Sequence, residues 1–148
     1  MYDTIHFLHS YWAYLVFAIL VIATLNALTK YFGNKEFGAF DFRISLFTLI
    51  VSHIQLLLGI VLFFVSDYLS LISDMGMSAI MKNDDLRSKI IEHPFAMILA
   101  VVFITIGYSK HKKKLTSKPK FKLLAIFYTI ALILVIAKLP WKTWLNLG

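Results

Sequence analysis

The chain has 148 residues, of which 59% are hydrophobic and 16% are charged, with no cysteine and a formal net charge of +7. Soluble domains carry about 25% charged residues, so this composition is typical of a membrane protein. The lack of cysteine excludes disulfides, iron–sulfur clusters and thiolate zinc sites, and the basic residues lie beside apolar stretches, which the positive-inside rule explains better than nucleic-acid binding does.

Four apolar stretches are long enough to cross a bilayer, since ~20 residues at ~1.5 Å each cover about 30 Å. The sequence predicts spans over residues 5–28, 44–66, 90–109 and 121–136. The first has no basic n-region and runs too long for a cleaved signal peptide, so we expect it to be retained. Between the second and third spans, apolar residues recur at helical spacing over 69–83, which predicts a short amphipathic helix at the interface. The predicted fold is one all-α domain (1–148), an up-down four-transmembrane-helix bundle.

The distribution of basic residues predicts the orientation of this bundle. Ten of the fifteen Lys and Arg residues lie in the first–second and third–fourth links, and five lie in the remaining segments. The positive-inside rule therefore places both short links in the cytoplasm and both termini on the outer side. Trp141 and Trp144 would anchor the outer end of the fourth span in the interface.

Two histidines lie near the outer edges of the first and third spans. His9 is expected about 6 Å inside its span, and His93 lies at nearly the same level. Because the two spans run in the same direction, they can face each other across the bundle diagonal. Two neutral imidazoles at one height could clamp a haem iron. Pro94 disfavours helical geometry at His93 and removes a backbone hydrogen bond, so we expect His93 at a kink or in the first turn of its span.

The residues around this pair are compatible with a haem. Ala13 lies one turn below His9, and Ala96 and Ala100 lie below His93, so these faces would leave room for a flat macrocycle. Basic side chains at the outer rim could pair with haem propionates. They are Lys82, Arg87, Lys89, Lys138 and Lys142.

The other three histidines have different predicted roles. His53 is expected about 12–15 Å deeper than His9 and His93, where it would be a substitute ligand, a hydrogen-bond partner for a quinone or a proton relay. His6 shares the face of His9 and is an alternative ligand. His111 belongs to the basic third–fourth link, and we expect it to be solvated. The structural alternative for any membrane histidine is a hydrogen bond between helices.

Four motifs resemble those of a known family: FLHSYWAY, SHIQLLLGIVLFFVS, EHPFAMILAVVFITIGYSK and a fourth span ending in LPW. Together they are similar to the small four-span b-type cytochromes of bacterial membranes, over nearly the whole chain. The resemblance implies haem binding, with His9, His53 and His93 contacting the cofactor. A more distant similarity is to membrane-type protoporphyrinogen oxidases and copper-resistance-type four-span proteins. In those oxidases a lysine follows two residues after the third-span histidine, where this chain has Phe95.

Depth matching and resemblance together predict an electron-transfer protein of the bacterial inner membrane that holds one haem b. His9 and His93 are the predicted axial pair, and the partners would be the quinone pool and other membrane respiratory subunits. Two alternatives stay open: a haem-free accessory or assembly subunit of a larger complex, and an oxidase of a porphyrinogen or quinol. A carrier or subunit is favoured over an enzyme because Phe95 departs from the pattern of the oxidases, and the sequence contains no acid–base pair, phosphate loop or nucleophile motif for a soluble substrate.

Overall fold

The computed structural model describes residues 1–139. In chain order the helices are α1 (Tyr2–Phe32), α2 (Ala39–Val65), α3 (Tyr68–Met75), α4 (Met77–Lys82), α5 (Asp84–Arg87), α6 (His93–Lys112) and α7 (Ser117–Lys138), and a π-helical turn (Ser88–Glu92) joins α5 to α6. Four helical stretches are long and apolar enough to cross a membrane, namely α1, α2, α7 and the continuous stretch from α5 to α6. The prediction of an all-α membrane protein with four spans is confirmed. Trp141, Lys142 and Trp144 lie outside the described residues.

The four long helices form an up-down bundle in which α1 and α6 are diagonal neighbours. α1 packs against α2 and α7, and α6 packs against the same two helices. Residues 33–38 and 113–116 form two short links at one end of the bundle, which we call the short-link end. Residues 66–92 form a long link at the opposite end, which we call the long-link end. His9 and His93 both belong to the long-link end, on the two diagonal helices.

Packing is uneven along the bundle. The buried core cluster contains small and aromatic side chains from α1, α6 and α7, including Leu20, Ala100 and Tyr128. The hydroxyl of Tyr128 donates a 2.9 Å hydrogen bond to the Ser45 carbonyl, which joins α7 to α2 across the core. Over the described lengths of α1 and α2, no residue before Val16 or after Ser52 is buried. These two helices are therefore packed tightly only in their halves toward the short-link end.

A buried carboxylate fixes the first turn of α2 at the short-link end. Asp41 is only 3% exposed, and its Oδ1 accepts hydrogen bonds from Lys30 Nζ at 2.6 Å and from Asn26 Nδ2 at 2.8 Å. Its Oδ2 accepts from the backbone N–H of Gly38 at 2.8 Å, which caps the helix. Asp41 thus ties α1, the first short link and α2 together.

The expected solvation of His111 is wrong. α6 continues to Lys112, beyond the predicted limit at residue 109, and this places His111 on the inner face of the last turn. The ring is fully buried and packs against Phe37, Phe42 and Tyr108. The run of lysines suggested a solvated link, but the helix continues through it. The helical repeat of 3.6 residues then turns His111 toward the core.

The long link is helical, as predicted, but the expected single amphipathic helix over 69–83 is divided. Gly76 has φ +83°, in the left-handed region that glycine tolerates, and it separates α3 from α4. Asn83 ends α4 and caps α5, because its Oδ1 accepts from the backbone N–H of Leu86 at 3.1 Å. Ile80 is fully buried and anchors α4 to the bundle.

Candidate functional site

His93 begins α6 directly after the π-helical turn. Pro94 has no backbone N–H, so a regular α-helix would leave the carbonyl four residues earlier without its partner. The chain accommodates this with the turn Ser88–Glu92, and His93 itself keeps helical dihedral angles, φ −63° and ψ −52°. His93 therefore lies in the first turn of α6, as predicted, but the expectation that Pro94 disfavours helical geometry at His93 is wrong. π-Helical turns of this kind are frequent at functional sites.

A backbone carbonyl of α7 sets the tautomer of His93. Nδ1 of His93 lies 2.8 Å from the backbone oxygen of Lys138. Because a carbonyl oxygen only accepts hydrogen bonds, Nδ1 carries the proton. Lys138 ends α7, where carbonyls have no helical partner of their own. The other ring nitrogen, Nε2, therefore has its lone pair available for a ligand. Metal-binding histidines use this type of bond to fix the ring.

An ion-pair network surrounds the start of α6. Glu92 accepts from Arg87 Nε at 2.7 Å and from Lys138 Nζ at 2.8 Å, which ties the π-helical turn to the end of α7. Lys89 pairs with Asp85 at 3.3 Å. Three of the five basic residues that were expected to meet haem propionates are thus already paired with carboxylates of the chain.

His9 packs against a glycine of α2. A Cβ placed on Gly59 would lie 3.2 Å from Cε1 and 3.7 Å from Nδ1 of His9, so any larger residue would push the ring away by a few tenths of an ångström. One turn earlier on α2, Gln55 Nε2 donates a 2.9 Å hydrogen bond to the carbonyl of His9. His9 Nδ1 and Gln55 Oε1 are both buried without a hydrogen-bond partner. The contact between α1 and α2 at His9 therefore contains two unsatisfied polar atoms.

His6, His9 and His93 all lie toward the long-link end, the first two on α1 and the third on the diagonal helix α6. His6 itself is exposed and stacks on Tyr2 with ring centroids 5.6 Å apart. His9 and His93 are both partly buried. Of the three candidates at this end, they are the pair that is sheltered.

The three alanines of the predicted site differ in burial. Ala96 and Ala100 are buried, and Ala100 belongs to the core cluster, while Ala13 is partly buried. Small residues let neighbouring helices approach closely. Ala100 therefore serves the packing of the core, and Ala13 and Ala96 lie closer to the His9–His93 level.

His53 makes its contacts elsewhere. Its Nδ1 lies 2.8 Å from the Leu49 carbonyl of its own helix, and its Nε2 lies 3.4 Å from Thr105 Oγ1 on α6. None of the described contacts of His53 is with His9 or His93. On α2 it lies six residues from Gly59, about 9 Å along the axis. This is less than the predicted 12–15 Å relative to His9, because α1 begins at Tyr2 and places His9 deeper.

Gln55, Gly59 and Thr105 contact the candidate histidines, although the sequence did not indicate these roles. Gln55 and Gly59 are four residues apart and therefore share one face of α2, a spacing that could have revealed them. The partnership of Thr105 with His53 depends on the register of α6 against α2, which has no local sequence signal.

Comparison of the sequence with models of protein families, with curated proteins and with solved structures finds no match. Within residues 1–139, no group of three or more His, Cys, Asp and Glu side chains is placed to hold a metal ion. A haem iron requires only two axial side chains, since the porphyrin supplies the other four nitrogens. Among the described residues of the long-link end, His9 and His93 are the two partly buried imidazoles.

Proposed function

We propose that this protein is a membrane electron carrier that binds one haem b between His9 and His93 at the long-link end. The observation that carries the proposal is the state of the two rings. The Lys138 carbonyl leaves Nε2 of His93 unprotonated, and Nδ1 of His9 is buried without a partner. An unprotonated imidazole nitrogen is a common axial ligand of haem iron, and a buried polar atom without a partner costs free energy that a ligand can recover.

Haem, when bound, supplies a reversible one-electron change at iron. The chain's own groups would orient and shelter it. The Lys138 carbonyl holds the His93 tautomer and raises the basicity of the ring. Gly59 lets His9 lie flat against α2, and Gln55 holds the backbone of His9 from the same face. The Glu92 ion pairs keep the start of α6 against the end of α7, which limits movement of His93.

The proposed location is a bacterial inner membrane, with the long-link end on the outer side. The ten basic residues of the short links against five elsewhere support this orientation. A redox centre inside the bilayer exchanges electrons most directly with lipid-soluble carriers, so quinone is the proposed partner class, together with other membrane respiratory subunits.

The test is the visible absorption spectrum of the full-length protein purified in detergent from haem-supplemented cells. We expect a Soret band, and reduced-minus-oxidised bands of a bis-histidine haem, that are lost in both His9→Ala and His93→Ala. His6→Ala is the matched control, because His6 lies one turn from His9 on the same helix but is exposed. Its spectrum should be that of the wild type.

Two outcomes would overturn the proposal. A folded wild-type protein without a Soret band, co-purifying with other membrane subunits, would favour the haem-free accessory alternative. A Soret band that survives both substitutions would place the haem elsewhere. The oxidase alternative would require turnover of a porphyrinogen or quinol that depends on His53 or His93. Phe95, which stands where the oxidases have lysine, is 63% exposed and faces away from the bundle core.

A further inference from the structure

A groove between α2 and α6 carries two polar side chains in an otherwise aliphatic lining. It encloses about 250 Å³ and is lined by five aliphatic residues, among them Leu56 and Ile98, and by His53 and Thr105. His53 is exposed although it lies well inside the second span. An ionisable side chain open to the interior of a membrane is expensive and marks a functional site by default.

The hydrogen bonds around His53 are one proton short. Three contacts connect four groups: His53 Nδ1 with the Leu49 carbonyl at 2.8 Å, Thr105 Oγ1 with the Val101 carbonyl at 2.7 Å, and His53 Nε2 with Thr105 Oγ1 at 3.4 Å. A neutral imidazole supplies one proton and a hydroxyl supplies one. The two short contacts direct these protons to carbonyl oxygens, from Nδ1 to Leu49 and from Oγ1 to Val101. The Nε2–Oγ1 contact is therefore left with two acceptors and no donor, which agrees with its being the longest of the three.

This arrangement selects for a hydrogen-bond donor that reaches the groove through lipid. Water is absent from the hydrocarbon region of a bilayer, so the missing proton has to come from a lipid-soluble molecule. An acyl chain fills apolar space but donates nothing. A hydroquinone has an apolar ring and tail and two O–H donors, whereas the oxidised quinone has only carbonyl acceptors.

We propose that the His53–Thr105 groove binds the headgroup of a quinol, whose O–H donates to Nε2 of His53. The choice of a quinol among lipid-soluble hydroxyl compounds rests on the proposed electron-transfer function. The groove opens to the membrane, so the ligand enters laterally. It is distinct from the His9–His93 site, since His53 lies about 9 Å from Gly59 along α2.

The test is an anaerobic titration of the full-length protein in phosphatidylcholine nanodiscs, with histidines labelled with ¹⁵N. The probes are a decyl-substituted benzohydroquinone, the corresponding quinone and the dimethyl ether of the hydroquinone. We expect the hydroquinone to shift the Nε2 resonance of His53 and to bind about tenfold more tightly than either analogue, the difference expected for one hydrogen bond. Equal affinities for the three probes, or an unmoved His53 resonance, would overturn the proposal.

Two variants provide the control. His53→Phe keeps a flat ring but removes the acceptor, so it should bind the hydroquinone and its ether equally. Thr105→Val keeps the shape of the side chain and should retain the preference, because Nε2 remains. Loss of the preference in Thr105→Val alone would contradict the role of Nε2. The comparison of the three probes on the wild type stands even if a variant does not fold.

The outcome is separable from the haem proposal. A protein without a Soret band that still prefers the hydroquinone would exclude the haem site and keep the groove. A protein with the expected Soret band that binds the three probes equally would exclude the groove and keep the haem site.

Discussion

The two ends of the bundle treat buried polar groups in opposite ways. At the short-link end, Asp41 accepts three hydrogen bonds, two from side chains of α1 and one from the backbone of the first short link. Toward the long-link end, Nδ1 of His9 and Oε1 of Gln55 are buried without a hydrogen-bond partner. A saturated polar group holds a fold in one arrangement, whereas an unsaturated one has capacity for something else. The first end is fixed by these bonds, and the second is where we propose that a ligand binds.

Three other buried atoms limit this contrast, because Thr24 Oγ1, Thr129 Oγ1 and His111 Nε2 also have no hydrogen-bond partner. Of these, Nε2 of His111 lies at the short-link end. Its ring is fully enclosed by Phe37, Phe42 and Tyr108, so a ligand has no access to it. The His9 ring differs because it is only partly buried, although its Nδ1 atom is as inaccessible as Nε2 of His111. The accessible part of the ring, and not the unpartnered atom alone, distinguishes His9 from His111.

The largest expected effect is the loss of the Asp41 carboxylate. Asp41→Ala leaves Lys30, Asn26 and the Gly38 N–H without their acceptor, and we expect the free energy of unfolding to fall by about 3 kcal/mol, since Lys30 is partly screened by solvent. The measurement is SDS-induced unfolding in mixed micelles. Glu36→Gln, an exposed acid in the same short link, should change stability little. A Soret band weakened in Asp41→Ala protein that is still folded would break the contrast between the ends.

Gly107→Ala tests packing at the short-link end. A Cβ on Gly107 would lie 2.6 Å from Cβ of Phe127, which is too close to the α7 backbone for a side-chain rotation to relieve. α6 and α7 must move apart, and we expect a loss of about 2 kcal/mol in the free energy of unfolding. The same unfolding assay measures it. Haem affinity of the remaining folded protein should be unchanged.

Gly59→Ala is the matched change at the long-link end. The added Cβ would lie 3.2 Å from Cε1 of His9, so the ring has to shift by a few tenths of an ångström. We expect stability near that of the wild type and a haem affinity about tenfold lower, as for changes that misplace a metal ligand. Haem titration followed by the Soret band measures this. A variant that loses stability but keeps its affinity would show that Gly59 serves packing alone.

The smallest expected effect is that of Gln55. Gln55→Leu removes the bond to the carbonyl of His9 and should lower haem affinity about fivefold, equivalent to about 1 kcal/mol. Gln55→Glu keeps an acceptor beside the His9 ring, and its reduction potential should fall below that of the leucine variant, because a carboxylate favours the more positive oxidised iron. Identical potentials in the two variants would mean that Gln55 does not influence His9.

Much of the fold follows from the sequence because the bilayer constrains it. Apolar length predicts the spans, and short links between them predict antiparallel neighbours, which puts α1 and α6 on a diagonal. Pro94 predicts the irregular start of α6. Boundaries at charged residues were less reliable: the lysines after Ser109 suggested the end of the third span, but α6 continues to Lys112 and buries His111.

The site was predictable only in part. Depth along a helix can be counted, so His9 and His93 could be matched from the sequence. Contacts between helices depend on rotation and tilt, which leave no local signal. The approach of His9 to Gly59 and the pairing of His53 with Thr105 are of this kind. The hydrogen-bond acceptor for His93 is a backbone oxygen, which every residue type has. The residue type at position 138 therefore could not have predicted this bond.

That carbonyl has a genetic consequence. Lys138 contributes to the neighbourhood of His93 through two atoms, Nζ to Glu92 and the main-chain oxygen to the imidazole. A codon change at position 138 can delete the first and leaves the second in place. Side-chain substitutions at position 138 would therefore report only the loss of the ion pair with Glu92. The contribution of the carbonyl that orients His93 would not be measured by mutational scanning.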